Sequence, residues 1–330
     1  MAKVAINGMG RIGRAALKII LDQTSLDLVA VNDLMPLDNL VYLLKFDTVY
    51  GRYHRKVALQ DSNLVVDGKT IKFLSVKDPS QLPWKELGLD LVFECTGIFT
   101  NTEGLQKHLQ AGARYVLLSA PPKDVMCTIV HGVTEPPPGE RAFSCASCTT
   151  NCIAPIVEII DRHFGIRKAT MTTIHAYTSS QAIVDGPAKK WARGRAGAAN
   201  FVPTTTGAAK ATTDILPALK GRFDGVAVRG PVACGSLADI VMVLAKPATA
   251  EEVNNILRQE AESPRYQDIL GVSDYPLVSS DIIKDPRASV VEASMTQVVD
   301  GDLLKIMTWY DNEWGYTNQM VREAVRLLEG

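Results

Sequence analysis

A glycine turn between an apolar strand and an amphipathic helix limits what this chain can fold into more than any other feature. Residues 1–7 read as a short strand, and Gly8-Met9-Gly10-Arg11-Ile12-Gly13 follows at once. Over 11–21 apolar residues recur at helical spacing, and a second strand at 28–32 runs into Asp33, twenty positions after Gly13. Strand, turn, helix and second-strand acid together form a βαβ unit of the dinucleotide-binding kind. In such a unit Gly8 and Gly10 let the main chain turn and approach a pyrophosphate, and Gly13 lets the helix close on the strand. Asp33 accepts from ribose hydroxyls. A flavodoxin-like turn without this ligand is the competing reading of the same glycines.

The α/β alternation continues with strands at 89–95 and 115–119 on either side of a helix at 103–111. Short antiparallel strands fill 53–74, with Asp67-Gly68 as a hairpin turn. At 330 residues the chain is long for one core and comfortable for two domains. With 35 Lys and Arg against 36 Asp and Glu, its net charge of −1 gives no general affinity for nucleic acid or a membrane surface. The start, Met1-Ala2-Lys3, lacks the apolar core of a signal peptide, and no apolar run reaches membrane-spanning length. A cytoplasmic protein is expected.

Six cysteines in so long a chain do not make a disulfide scaffold. Cys145-x-x-Cys148-x-x-x-Cys152 has no second Cys/His cluster at ligand spacing, so no metal site is expected. Cys148 is different from the others. It lies in Ser147-Cys148-Thr149-Thr150-Asn151-Cys152, and a helix beginning near Thr149 aims main-chain N–H groups at the sulfur, favouring thiolate. Such a thiol suits proteases, acyl transferases and redox sensors equally. A helix at 153–164 and a β-branched strand at 169–176 follow. His175 at the end of that strand falls beside the thiol, as a general base would, although a histidine at a strand end is more often structural. Residues 177–200 have no clear periodicity, a length that marks a functional or interface loop. The strands at 225–230, 237–245 and 290–309 read as an antiparallel sheet against a helix at 250–261, and an amphipathic helix at 318–328 ends the pattern.

Over essentially its whole length the sequence resembles phosphorylating glyceraldehyde-3-phosphate dehydrogenases. The resemblance is carried by NGMGRIGR, SCTTNC, His175-Ala176-Tyr177-Thr178, Thr206-Gly207-Ala208-Ala209-Lys210, and the run from Trp309 through Asn312 to Tyr316. It implies an α/β protein with a Rossmann-type dinucleotide-binding domain, residues 1–148 completed by 313–330. An α+β catalytic domain with a largely antiparallel sheet spans 149–312. Cys148 becomes the nucleophile and His175 the residue that activates it and relays protons. The product is 1,3-bisphosphoglycerate, formed through a Cys148 thioester in glycolysis or gluconeogenesis. Close paralogues oxidise erythrose 4-phosphate or use arsenate.

The same resemblance puts Ser147, Thr149, Thr206 and Gly207 around inorganic phosphate. Thr178, Arg195 and Arg229 go to the phosphate of glyceraldehyde 3-phosphate, with some sharing between the two sites. Arg11 and Ile12 go to the pyrophosphate and nicotinamide side, Asp33 and Lys77 to the adenosine end, Ser119 to the far end of the sheet, and Asn312 and Tyr316 to the nicotinamide. Asp33 favours NAD over NADP, because a carboxylate repels a ribose 2′-phosphate, and Gly186-Pro187 agrees. A homotetramer is implied, with 177–200 near a subunit interface. Met9 replaces the usual aromatic residue and Lys77 a common arginine. The segment Arg229-Gly230-Pro231-Val232-Ala233-Cys234-Gly235 departs most from the family pattern.

Overall fold

The computed structural model describes residues 1–329. The chain divides into two compact units, one of residues 1–131 and 135–146 with the chain from Met320 onward, the other of residues 132–134 and 147–319.

The first unit contains β1 (Lys3–Asn7), α1 (Arg11–Gln23), β2 (Asp27–Asn32), α2 (Leu37–Lys45), β3 (Val57–Gln60), β4 (Asn63–Val66) and β5 (Lys69–Leu74). After these come α3 (Trp84–Leu87), β6 (Leu91–Glu94), α4 (Thr102–Gln110), β7 (Tyr115–Leu118) and β8 (Ala142–Ser144). The strands lie in the order β3-β4-β5-β2-β1-β6-β7-β8, parallel from β5 to β8 and antiparallel through β3 and β4. Val4, Ala5 and Ile6 are fully buried, as a central parallel strand covered on both faces requires. Asp67 and Gly68, at φ 48° and 84°, make the two-residue turn between β4 and β5.

Two glycines bring α1 onto the sheet. A Cβ at Gly13 would stand 1.9 Å from the Gly8 carbonyl oxygen. One at Gly8, itself at φ +95°, would stand 2.5 Å from the Thr96 nitrogen. Neither position accommodates a side chain, and the contact between α1 and the end of β1 is main chain against main chain.

The second unit opens with α5 (Cys148–Phe164), β9 (Ile166–Ala176), β10 (Val202–Thr205), α6 (Ala208–Ile215), β11 (Phe223–Gly230) and β12 (Ser236–Leu244). It continues with α7 (Ala250–Ala261), β13 (Leu270–Ser273), β14 (Ser289–Glu292), β15 (Gln297–Val299), β16 (Leu303–Tyr310) and the start of α8 (Trp314–Glu329). The sheet order is β10-β11-β9-β12-β16-β14-β13, with β15 beside β16. Most pairs are antiparallel, but β11 runs parallel to β9 and β13 parallel to β14. The sheet is largely antiparallel, as expected, and of its two parallel pairs β9/β11 is the one that matters below. Ile153, Ile156, Val157 and Ile160 of α5 share a core with Met171, Ile240 and Ile306 of the sheet. A capping box between Thr249 and Glu252 starts α7. Among the described residues no helix is long and apolar enough to cross a membrane.

Gly13→Ala should lower stability by about 1–3 kcal/mol through overpacking, read as a shifted urea midpoint. Gly10→Ala, where a Cβ meets nothing within 4 Å, should cost far less. Equal midpoints for the two variants would show that α1 can retreat from β1.

Candidate active site

Ser147 starts α5. In extended conformation, its hydroxyl accepts the Thr150 N–H at 3.1 Å, so Cys148 becomes the first helical residue. Main-chain N–H groups of Cys148 and Thr149 then point at the sulfur. The central strand β9 delivers His175, which is buried, with Nε2 3.4 Å from Cys148 Sγ. Tyr310 stands edge-on to the imidazole at 5.9 Å, and its hydroxyl links Thr149 Oγ1 (2.8 Å) to Thr173 Oγ1 (2.7 Å). Because β11 runs parallel to β9 with Arg229 opposite His175, the guanidinium lies along the ring: Nη1 is 2.5 Å from Nδ1 and 3.1 Å from the Ala176 oxygen.

The charge balance at the thiol differs from the expectation. Burial pushes the Cys148 thiol up, against the pull of Arg229 and the N–H groups of the helix start. A helix end contributes about 0.3–1 kcal/mol, up to about 2 in good geometry, whereas desolvation shifts buried groups by up to several pH units. His175 is lowered to about 3 by burial and by Arg229. Burial thus acts against charge on both partners, and the Arg229 charge draws the thiol down while opposing an imidazolium.

Around this pair the predicted anion ligands distribute unevenly. Thr178 is half-buried, with its hydroxyl 2.9 Å from Ser180 Oγ. The Ser147 and Thr149 hydroxyls are engaged as a helix cap and with Tyr310, so what these residues offer an anion is the main chain at the start of α5. Thr206 and Gly207 sit at the start of α6, where Thr206 Oγ1 accepts the Ala208 N–H at 3.2 Å and Gly207 caps the helix. Arg195 is exposed in this structure. It pairs with Asp185 at 2.6 Å on the exposed side of the loop. Arg193 takes the inner position: it donates to Thr204 Oγ1 at 3.0 Å and Ser180 Oγ at 3.4 Å, and its charge acts on both His175 and Arg229. A 3₁₀ turn at Trp191–Gly194 separates the two arginines.

In the first unit a cavity of about 730 Å³ opens at the ends of β1 and β2. Gly8, Gly10, Asp33 and Lys77 line it. Asp33 accepts the Met9 N–H at 2.5 Å and the Met35 N–H at 2.8 Å, so it clasps the glycine turn while its edge faces the cavity. Ile12 and Gly13 are in the first turn of α1. The Arg11 guanidinium is committed to Asp47 at 2.5 Å and to the Tyr50 ring, which leaves its main chain as the part presented at the helix start. Ser119, after β7, lies beside Cys95 and outside the residues lining the cavity. Asn7, Asn32 and Thr96 line or flank it and were not singled out from sequence; their signal is polar residues following buried strand positions. Asn312 and Tyr316 belong to the second unit. Both are buried, and Asn312 Oδ1 accepts from Ser236 Oγ at 2.9 Å.

A glycine-lined helix start facing a cavity with an acid at the end of the second strand fits a dinucleotide, with Gly10 leaving open space where a side chain would stand. Together with a buried Cys–His pair flanked by a guanidinium, this points to a dinucleotide-dependent oxidoreductase. Residues 2–102 match the model of the glyceraldehyde 3-phosphate dehydrogenase NAD binding domain, and 147–312 that of its C-terminal domain. The glyceraldehyde-3-phosphate dehydrogenase of Streptomyces coelicolor is 47% identical over 323 residues, 97% of this chain and 96% of its own. That of Zymomonas mobilis is 43% identical over 332 residues, covering 99% and 98%. That of Priestia megaterium is 45% identical over 322 residues, covering 97% and 96%. The chain belongs to the glyceraldehyde-3-phosphate dehydrogenase family, and it is an oxidoreductase of the aldehyde group that uses a nicotinamide dinucleotide.

In cofactor-free protein, alkylation of Cys148 by iodoacetamide should climb about tenfold per pH unit between pH 6 and 8.5, following the thiolate fraction. No step should appear near pH 6.5, because a histidine held neutral has nothing left to lose there. A step between pH 6 and 7 would contradict a histidine lowered to about 3.

Proposed function

We propose that this chain oxidises glyceraldehyde 3-phosphate with NAD and inorganic phosphate, in glycolysis or gluconeogenesis, to give 1,3-bisphosphoglycerate. The observation that carries the reading is the 3.4 Å contact between Cys148 Sγ and His175 Nε2, with Arg229 alongside. His175 takes the thiol proton as sulfur adds to the aldehyde carbon, then returns it to the new alkoxide to give a hemithioacetal on Cys148. Bound NAD supplies the hydride acceptor. His175 removes the hemithioacetal hydroxyl proton as the hydride departs, which leaves a thioester on Cys148. Phosphate attacks that carbonyl, the thiolate leaves, and the imidazolium returns its proton to sulfur.

The two anions fall to different groups. Arg229, Thr178 and Arg195 receive the substrate phosphate; Thr206, Gly207 and the main chain at Ser147 and Thr149 receive the attacking one. Arg229 is suited to this because no carboxylate pairs with it among the described residues. Asp33 favours NAD over NADP, and Arg11, Ile12, Lys77, Ser119, Asn312 and Tyr316 keep the cofactor roles that the resemblance gives them. The first unit then binds the dinucleotide and the second performs the chemistry.

Purified protein should reduce NAD with glyceraldehyde 3-phosphate only when phosphate or arsenate is present, and with NADP or erythrose 4-phosphate at a much lower kcat/KM. Cys148→Ser should lose at least about 10³-fold in kcat and still bind NAD. Turnover without phosphate would sink the acyl-phosphate route.

A homotetramer is also proposed. The loop exposes Ile183, Val184 and Trp191, and the same unit exposes Phe201, Val226 and Val299, apolar surface suited to copies of the same chain. Trp191→Asp should reduce the solution mass seen by light scattering; an unchanged mass would place the interface elsewhere.

A further inference from the structure

Three neighbouring parallel strands end on polar residues in register: Asn32 on β2, Asn7 on β1 and Glu94 on β6. All three are buried, and their hydrogen bonds run in one direction. Asn7 Nδ2 donates to Glu94 Oε2 at 2.6 Å, which leaves Asn7 Oδ1 to accept from Asn32 Nδ2 at 2.7 Å. Asn32 then clasps the main chain of Val76, donating to its oxygen and accepting from its nitrogen, each at 2.9 Å. On the other side Thr96 gives Glu94 Oε1 its N–H at 2.8 Å and its hydroxyl, and that hydroxyl accepts the Ile98 N–H at 3.0 Å. Val76 and Ile98 belong to separate stretches of the cavity lining, and Glu94 reaches both from behind. The Thr96 main chain it holds is the one that abuts Gly8 of the glycine turn.

This arrangement works only around a group that accepts everywhere. Trp84 Nε1 can only donate, and it occupies His108 Nδ1 at 2.9 Å, so His108 keeps its hydrogen on Nε2 and brings a further donor to Glu94 Oε2 at 3.0 Å. A carboxylate receives four donors on two oxygens. An amide of the same shape replaces one oxygen by an NH₂ group and sets donor against donor. If Asn7 turned over to meet that NH₂, Asn32 would have to turn as well, and the clasp on Val76 would open.

We propose that Glu94 is a positioning residue for the nicotinamide dinucleotide. Through Asn7 and Asn32 it fixes the lining at 76–78, and through Thr96 the lining at 96–99, so that one buried carboxylate sets the spacing of both. This rests on the reading of the cavity as the dinucleotide site. His108, itself fixed by Trp84, supports the carboxylate in that role. Glu94 lies in the first unit and the thiol in the second, so the effect falls on cofactor affinity and not on the chemical step.

The test combines titration calorimetry with NAD and steady-state turnover, in wild type and three variants. Glu94→Gln keeps the shape and brings a donor edge; His108→Leu withdraws one of the four donors. Each should raise both Kd and KM for NAD about tenfold, with kcat at saturating NAD and KM for glyceraldehyde 3-phosphate within about twofold of wild type. His108→Gln, which retains an N–H for Glu94, should keep most of the affinity. Urea midpoints identify a variant that does not fold, and if Glu94→Gln is such a one, the two His108 variants carry the comparison. A purely structural role would lower the midpoints and the active fraction while the folded variants kept the wild-type Kd for NAD; that result overturns the proposal. Equal weakening in His108→Leu and His108→Gln overturns it too, because the donor would then be irrelevant. Absence of NAD binding in wild type would defeat the reading of the cavity and this proposal with it, whereas binding in wild type with unchanged variants defeats this proposal alone.

Discussion

The geometry of the second unit depends on the register of β9. This strand is paired along nearly its whole length, parallel to β11 on one side and antiparallel to β12 on the other. Its last two residues collect the site: Arg229 comes alongside His175 from β11, Ser236 at the start of β12 accepts the Ala176 N–H at 3.1 Å, and Tyr310 from β16 ties Thr173 to Thr149. A slip of one residue in either pairing would turn alternate side chains to the other face and separate the base from the thiol. The site is therefore precise because a well-paired central strand ends there, while the sulfur arrives on a helix packed on the same sheet.

The first unit solves a comparable problem with polar groups. Glu94, fully buried, receives hydrogen bonds from Asn7 (2.6 Å), from the Thr96 N–H (2.8 Å) and from the Thr96 hydroxyl. Its fourth partner is His108 Nε2 at 3.0 Å. The Trp84 indole N–H donates to His108 Nδ1 at 2.9 Å, which makes Nδ1 the acceptor and directs Nε2–H to Glu94. Asn32 extends the network from Asn7 to Val76. Burying this many polar atoms costs free energy that only a fully connected network offsets, and in return the ends of β1, β2 and β6 are locked where the cavity opens.

Periodic and turn-based features were legible in the sequence. The βαβ unit announced itself through glycine spacing and the Asp67-Gly68 hairpin through its turn chemistry, and the helix read at 250–261 is α7. Less visible were α6, whose threonines weaken a helical pattern, and the short strands β8, β10 and β13, which hold too few residues to show a period. Strand direction was hidden as well: nothing local in Phe223–Gly230 tells whether it meets β9 parallel, yet that direction seats Arg229 beside His175. Cys148 and His175 could be named from sequence, but the protonation of the pair depends on burial, which arises only when the second unit closes. The surroundings of Arg193 and Arg195 have the same origin, since only the 3₁₀ turn decides that one reaches Thr204 and the other Asp185.

Asp33 lines the cavity and also supports the glycine turn beside it. Both of its oxygens hold main-chain N–H groups, of Met9 within the glycine turn and of Met35 beyond β2. Selection for a different dinucleotide at this position is thereby tied to selection for an intact turn. A replacement that only removes the negative charge surrenders the clasp, while one that keeps an acceptor, such as asparagine, retains part of it. Divergence of cofactor use in a lineage descending from this chain would have a narrow path, passing through residues that accept hydrogen bonds rather than through small apolar ones.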